Sequence, residues 1–182
     1  MGDQFLFFLQ DISRIIGRKK YRILLLFFTR SFWGLFLYRC ERMGFLLFGK
    51  YYTIIRVPFI PFFILLQSFS NIEIHYKASI KGGILVLHPS VGIVISGRAV
   101  IGKQLTLTGG NVIGINSNSK DNSFEIGDYC TLGANATVIG PLILGNNIVI
   151  GASTCVVKSF EQSNLVLVGV PAKILNKNIT IH

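Results

Sequence analysis

Acidic residues are scarce in this chain: 8 Asp and Glu stand against 18 Lys and Arg in 182 residues, leaving a formal charge of +10. Charge of either sign is sparse as well, at 14% of residues against 51% hydrophobic, which excludes a disordered polyelectrolyte or a low-complexity scaffold. Cysteine is rarer still. Cys40, Cys130 and Cys155 are odd in number and lack zinc-site spacing, so neither a disulfide framework nor a metal site is expected, and a reducing compartment is the simpler reading. The first apolar run is bracketed by Asp3 and Asp11 with no basic lead-in, unlike a secretory signal, so the protein is expected in the cytoplasm. Nor is a membrane-spanning helix expected in the first 70 residues. Their longest uncharged stretch, Val57 to Ile72, is 16 residues long and carries Pro58 and Pro61, whereas a span needs roughly 20. The length suits one domain with at most a small appendage.

What the chain does contain is unevenly spread. Residues 1–70 hold 18 of the 22 aromatics and a net charge of +7, while residues 71–182 keep only Tyr76, Phe124, Tyr129 and Phe160 and a net charge of +3. The first part reads as an aromatic, basic helical segment. Its Arg14, Arg18, Lys19, Lys20, Arg22 and Arg30 are interleaved with apolar residues, a mixture that suits either a helix lying on an anionic lipid surface or a cap packed within the protein. Nucleic-acid binding is not expected, because these charges are not gathered on a polar face.

From residue 71 a period of six takes over. Ile126, Leu132, Val138, Leu144, Ile150 and Val156 follow one another at six-residue steps, and glycine directly follows four of them. The same spacing runs upstream through Ile95, Ile101, Leu107 and Ile113, and through Ile74, Ile80 and Val86. Neither a helix nor an isolated strand has this period, whereas a solenoid of short strands does. Three hexads would close a triangular coil of about 18 residues with one aliphatic side chain per face pointing inward. The interior is then narrow, in keeping with the shortage of aromatics. Two phase breaks interrupt the pattern, at 86–95 and 113–126; the second holds the polar run Asn116 to Ser123, expected to loop out of the coil.

The segments Leu87-His88-Pro89-Ser90-Val91-Gly92-Ile93-Val94-Ile95, Ile126-Gly127-Asp128, Gly133-Ala134-Asn135-Ala136, Ile150-Gly151-Ala152 and Gly169-Val170-Pro171-Ala172-Lys173 resemble the hexapeptide-repeat acyltransferases, and within them the serine acetyltransferase branch. The resemblance covers roughly residues 71–175, with 176–182 as a tail. It implies a mainly β fold, a left-handed parallel β-helix behind the helical segment, assembled as a homotrimer. It further implies acetyl transfer from acetyl-CoA to a hydroxyl, with no metal.

On this resemblance His88 is the general base, a role that suits an imidazole able to take the proton of a hydroxyl attacking a thioester. Glu73, 15 residues earlier, would be its carboxylate partner, orienting the ring from an adjacent coil. A solvated outward charge is the plainer reading of Glu73. His75 is expected to be structural, and His182, the last residue of the sequence, to be mobile. The resemblance assigns coenzyme A to a groove between subunits, near Gly114, Ala134 and Ala152, with Lys158 and Lys173 as candidates for its phosphates.

The chain departs from the serine acetyltransferases at the acceptor. Leu87 stands where an acidic residue precedes their catalytic histidine, and Asn122-Ser123-Phe124 stands where they carry a basic residue and a second histidine. An amino acid would lose charge-assisted partners at both ends, so the expected acceptor is a saccharide hydroxyl, as in bacterial surface-polysaccharide acetyltransferases. The alternatives are a serine O-acetyltransferase and a non-catalytic trimeric β-helix module.

Overall fold

The computed structural model describes residues 2–18, 20–116 and 123–176. Lys19, the side chain of Lys20, the centre of the 116–123 loop and His182 lie outside the described residues. Four α-helices come first: α1 (Gly2–Ile16), α2 (Arg30–Phe48), α3 (Tyr52–Ile55) and α4 (Ile60–Ser70), with a 3-10 segment, Lys20–Phe28, between α1 and α2. Helix α4 ends at Asn71, whose left-handed φ of 55° turns the chain into the first strand.

Fifteen short strands then wind as a solenoid. The first coil is β1 (Ile72–Ile74), β2 (Ser79–Ile80) and β3 (Leu85–Val86); the second is β4 (Ile93–Ile95), β5 (Val100–Ile101) and β6 (Thr106–Leu107). The third is β7 (Asn111–Ile115), β8 (Phe124–Ile126) and β9 (Thr131–Leu132), and the fourth β10 (Thr137–Gly140), β11 (Leu142–Leu144) and β12 (Val149–Ile150). Strands β13 (Cys155–Val156) and β14 (Val166–Val168) begin another course, which β15 (Lys173–Asn176) closes by pairing antiparallel to β14. Strands of successive coils stack in parallel, giving a first face β1-β4-β7-β10-β13, a second β2-β5-β8-β11 and a third β3-β6-β9-β12-β14.

All thirteen positions of the period-six pattern are at most 3% exposed, as an inward hexad position requires. The expectation of one inward side chain per face needs correction: the residue two places earlier also points inward, because alternate residues of a strand share a face. These second positions range from Ala78, Ala99 and Ala136 through Ile84 and Leu105 to Phe124, each at most 1% exposed. Phe124 fits the narrow interior beside Gly140, where a Cβ would lie 2.7 Å from its ring. Asn111, also inward, donates to the carbonyls of Gly133 and Ala136 and accepts from the Gly109 amide, which removes the penalty of burying an amide.

Successive coils advance by 21, 18, 25 and 18 residues. The first departure from 18 comes from a 3-10 turn, Pro89–Val91, inserted where the third face meets the first. The second contains the polar loop.

The helices close the open edge of the first coil. Tyr38 donates its hydroxyl to the Ala78 carbonyl and accepts from the Ile80 amide; Arg39 donates to the carbonyls of Ile80 and Lys81; Ser31 donates to Val86. Asp11 accepts from the amides of Gly83 and Ile84 at 2.7 and 2.8 Å and pairs with Arg39 at 2.9 Å. Helix side chains thus stand in for the strand partners that a preceding coil would have supplied. Ile15, Leu26, Phe32, Leu35 and Tyr38 join the same hydrophobic core as the solenoid interior.

Candidate active site

The inserted turn is what presents His88. Strand β3 ends at Val86, the His88 amide still donates to the Thr108 carbonyl of the next coil at 2.9 Å, and the chain then leaves the wall through Pro89–Val91 before Gly92 returns it to β4. The His88 imidazole is exposed, and among the described residues it has no hydrogen-bond partner. It lines a cavity of about 440 Å³ together with Arg14, Arg22, Arg30, Ser31, Leu87 and Ser90.

Three arginines from the helical segment therefore face the candidate base. Arg14 is held in place: it donates to the carbonyls of Gly83 and Leu105 and to the Thr106 hydroxyl, and its burial lowers its pKa against the opposing pull of Asp11. Arg22 and Arg30 are exposed and make no hydrogen bond or ion pair among the described residues, so their guanidinium donors are available to an anion. Sequence reasoning missed all three. Its one signal was the basic cluster itself, which carried no information about where the fold would bring it.

Glu73 and His88 are not on adjacent coils, as the spacing suggested, but at the two ends of the first coil, because their separation of 15 residues is less than one full turn. No hydrogen bond joins them among the described residues. Glu73 lies on the outer face of β1, lining a second cavity of about 500 Å³ with Asn71, Ser90 and Val94. Ser90 borders both cavities, and its carbonyl accepts from the Asn71 side chain, so the two sites adjoin. The histidine on which Glu73 exerts its field is His75. Burial lowers the pKa of His75, helped by Lys77 and Arg56 and opposed by Glu73. His75 accepts the Lys77 amide at Nδ1, which fixes its proton on Nε2 in the neutral ring and makes it part of the coil.

The donor-side candidates divide into two groups. The strand register stacks His88, Gly109, Ala134 and Ala152 along one edge, with the Ser153 amide donating to Ala134 and the Asn135 amide to Gly109. Coils approach closely here: a Cβ on Gly133 would lie 2.7 Å from the Ala152 nitrogen. Lys173, opposite Val168, belongs to the same edge. Gly114 pairs with Ile139 at the far border of the first face, and Lys158, its Nζ 5.4 Å from the Phe160 ring, lies on that side too. At the acceptor side Phe124 points into the core and cannot touch an acceptor, while Asn122 lies outside the described residues. Leu87 is half exposed at the cavity.

No protein-family model matches the chain. Among curated proteins it is 34% identical over 106 residues to serine acetyltransferase 4 of Arabidopsis thaliana, covering 58% of this chain and 29% of that protein. It is 31% identical over 113 residues to the serine acetyltransferase of Staphylococcus aureus strain Mu50, covering 62% and 52%. The chain thus spans from under a third to about half the length of these relatives. Among solved structures, Neisseria gonorrhoeae serine acetyltransferase superposes with a TM-score of 0.79 at 23% identity, over 98% of this chain and 68% of that one. The Brucella abortus strain S19 enzyme in complex with coenzyme A gives 0.77 at 22% identity, over 99% and 70%. In sequence and in fold, this chain is similar to the serine acetyltransferases and is built on their hexapeptide-repeat parallel β-solenoid behind N-terminal helices.

Proposed function

We propose that this protein transfers an acetyl group from acetyl-CoA to the hydroxyl of serine or a similarly small hydroxy acid, with His88 as the general base. The observation that carries this reading is the exposed His88 imidazole, set on the same edge as Ala134 and Ala152 and facing Arg22 and Arg30 across one cavity. Ala134, Ala152 and Lys173 would meet acetyl-CoA along that edge, at a groove completed by a neighbouring copy in a trimer. His88 accepts the hydroxyl proton as the oxygen bonds to the thioester carbonyl. The C–S bond then breaks, and the proton passes to the departing thiolate.

The saccharide expectation rested on missing charge-assisted partners at both ends of an amino acid, the cationic partner of its carboxylate among them. Arg22 and Arg30 remove that part of the premise, and the serine acetyltransferase relatives favour the alternative. Leu87 still stands where an acid would meet an ammonium, so the carboxylate is the better-recognised end of the acceptor. Thiol release from acetyl-CoA with L-serine, with oligosaccharide and with no acceptor tests this. Serine-dependent release is expected. Release with oligosaccharide alone restores the saccharide reading, and no release with either leaves a non-catalytic module.

Two substitutions probe the site further. Arg30→Gln should raise the acceptor KM by about tenfold or more while keeping kcat, since a hydrogen bond to a charged group is worth about 1.5–3 kcal/mol. An unchanged acceptor KM would take Arg30 out of the pocket. Glu73→Gln should lower kcat less than loss of His88 does and displace the pH–rate profile; a profile superimposable on wild type would mean that Glu73 has no part in the proton transfer.

A further inference from the structure

Beyond the side chains it buries against the solenoid, the helical segment leaves much of its apolar surface outside. Helix α1 directs Gln4 and Asp11 toward the solenoid, where both meet Arg39, and leaves Phe5, Leu6 and Leu9 outside. In the 3-10 segment Leu26 is buried, while Leu24 and Phe28 are 76% and 81% exposed, with Phe27 beside them. Leu46, Leu47 and Phe48 at the end of α2, Ile54 in α3 and Leu65 in α4 are exposed as well. Of 30 exposed large hydrophobic residues among the described ones, 21 precede residue 71. Scattered exposed leucines need no explanation, but a concentration of this kind marks a surface that something covers.

Charge tells what covers it. Two of the three acids in this segment are spent internally, Asp11 on Arg39 and Glu41 on Arg56 at 2.7 Å, both with side chains at most 2% exposed. Asp3 is then the one exposed acid among the described residues of the segment, against exposed Arg18, Arg22, Arg30 and Lys50. A second copy offering the same face would set these cations against one another. An anionic lipid surface accepts both the apolar side chains and the cations. The segment does not cross the bilayer as a span: no single described helix is long and apolar enough. The pair Tyr21–Phe28 and Arg30–Ile55, which passes together, is bent by 72°, and α2 is docked on the solenoid through Ser31, Tyr38 and Arg39.

We propose that the outer face of the helical segment lies on an anionic membrane surface, with Leu24, Phe27 and Phe28 inserted among the acyl chains and Arg18 and Lys50 at the headgroups. The His88 cavity, lined by Arg22 and Arg30 of the same segment, would then open beside the bilayer.

Co-sedimentation of the full chain with vesicles of phosphatidylcholine alone, or mixed with phosphatidylglycerol, is the test. Binding to the mixed vesicles should exceed binding to the neutral ones by at least about tenfold at low salt and weaken as salt shortens the Debye length below about 8 Å. The doubly substituted Leu24→Asp/Phe28→Asp protein, altered only at exposed positions, should lose most of the binding with an unchanged circular dichroism spectrum. Arg18→Glu, outside the His88 cavity, should lower the preference for anionic lipid and leave acetyl transfer unchanged. Wild-type protein that stays in the supernatant with anionic vesicles at low salt overturns the proposal. So does a lipid-free oligomer that Leu24→Asp/Phe28→Asp dissociates, since the face would then be an interface between copies.

Discussion

Replacing His88 by alanine should lower acetyl transfer by about 10²–10⁴-fold, the usual loss when a general base is removed, and leave the solenoid folded. The side chain is exposed and unpartnered among the described residues, so its removal opens no cavity in the core. The contacts His88 makes with the next coil use its backbone and its Cβ, both of which alanine keeps: the amide donates to Thr108, and the carbonyl and Cβ pack against Gly109. An aliphatic hydroxyl is a poor nucleophile near neutral pH, and no other exposed imidazole lines this cavity to replace the lost base. Thiol release measured on protein with a native circular dichroism spectrum reads the effect. Turnover near the wild-type rate would remove His88 from the mechanism.

The largest effect on stability is expected at Arg39. Its guanidinium, 3% exposed, pairs with Asp11 and donates to Gln4 and to the carbonyls of Ile80 and Lys81. Arg39→Met would strand a carboxylate that is 0% exposed, a change that typically costs about 3–5 kcal/mol. Burial already pushes the Asp11 carboxyl up, opposed by Arg39 and by the Ile84 and Gly83 amides. Removing Arg39 pushes it further. A carboxyl raised in the folded state contributes stability below its unfolded pKa and loses it as pH rises through the folded pKa, so the deficit of Arg39→Met should narrow as the medium is acidified. The double change Asp11→Leu/Arg39→Met should not restore wild-type stability, although buried ion pairs can often be exchanged for apolar residues. Here the exchange would also orphan the amides of Gly83 and Ile84 and the carbonyls of Ile80 and Lys81. Denaturant titration across pH checks each of these outcomes, and a loss under about 1 kcal/mol for Arg39→Met would show that the pair does not hold the helices in place.

The solenoid was legible because one inward position on each face accepts only a branched aliphatic side chain, and that demand repeats every six residues within the blocks 74–86, 95–113 and 126–156. The companion inward positions were not legible. Their space varies from coil to coil, so alanine, phenylalanine and asparagine all occur there without a period. His88 could be singled out through the segment around it, but its surroundings could not. Arg14 reaches Thr106 across 92 residues of sequence, and no local pattern states that a basic helical segment will fold back over the corner that carries the base. The relation of Glu73 to His88 follows from spacing alone: 15 residues is less than one turn of the coil, so the two stay on the same coil, and the Pro89–Val91 insertion comes only after His88.

The way the first coil is closed bears on what this chain is prevented from becoming. A parallel ladder with a free end is a template, because its unpaired amides and carbonyls can recruit any strand of matching spacing, including the last coil of another molecule. At one end the antiparallel strand β15 reverses the direction of the ladder and spoils it as a match. At the other, Tyr38, Arg39, Asp11 and Ser31 occupy the edge with side chains, which offer no further ladder to extend. The helices therefore deny the first coil to any incoming strand: a chain stripped of them would leave the carbonyls of Ala78, Ile80 and Val86 and the amide of Gly83 open to pairing.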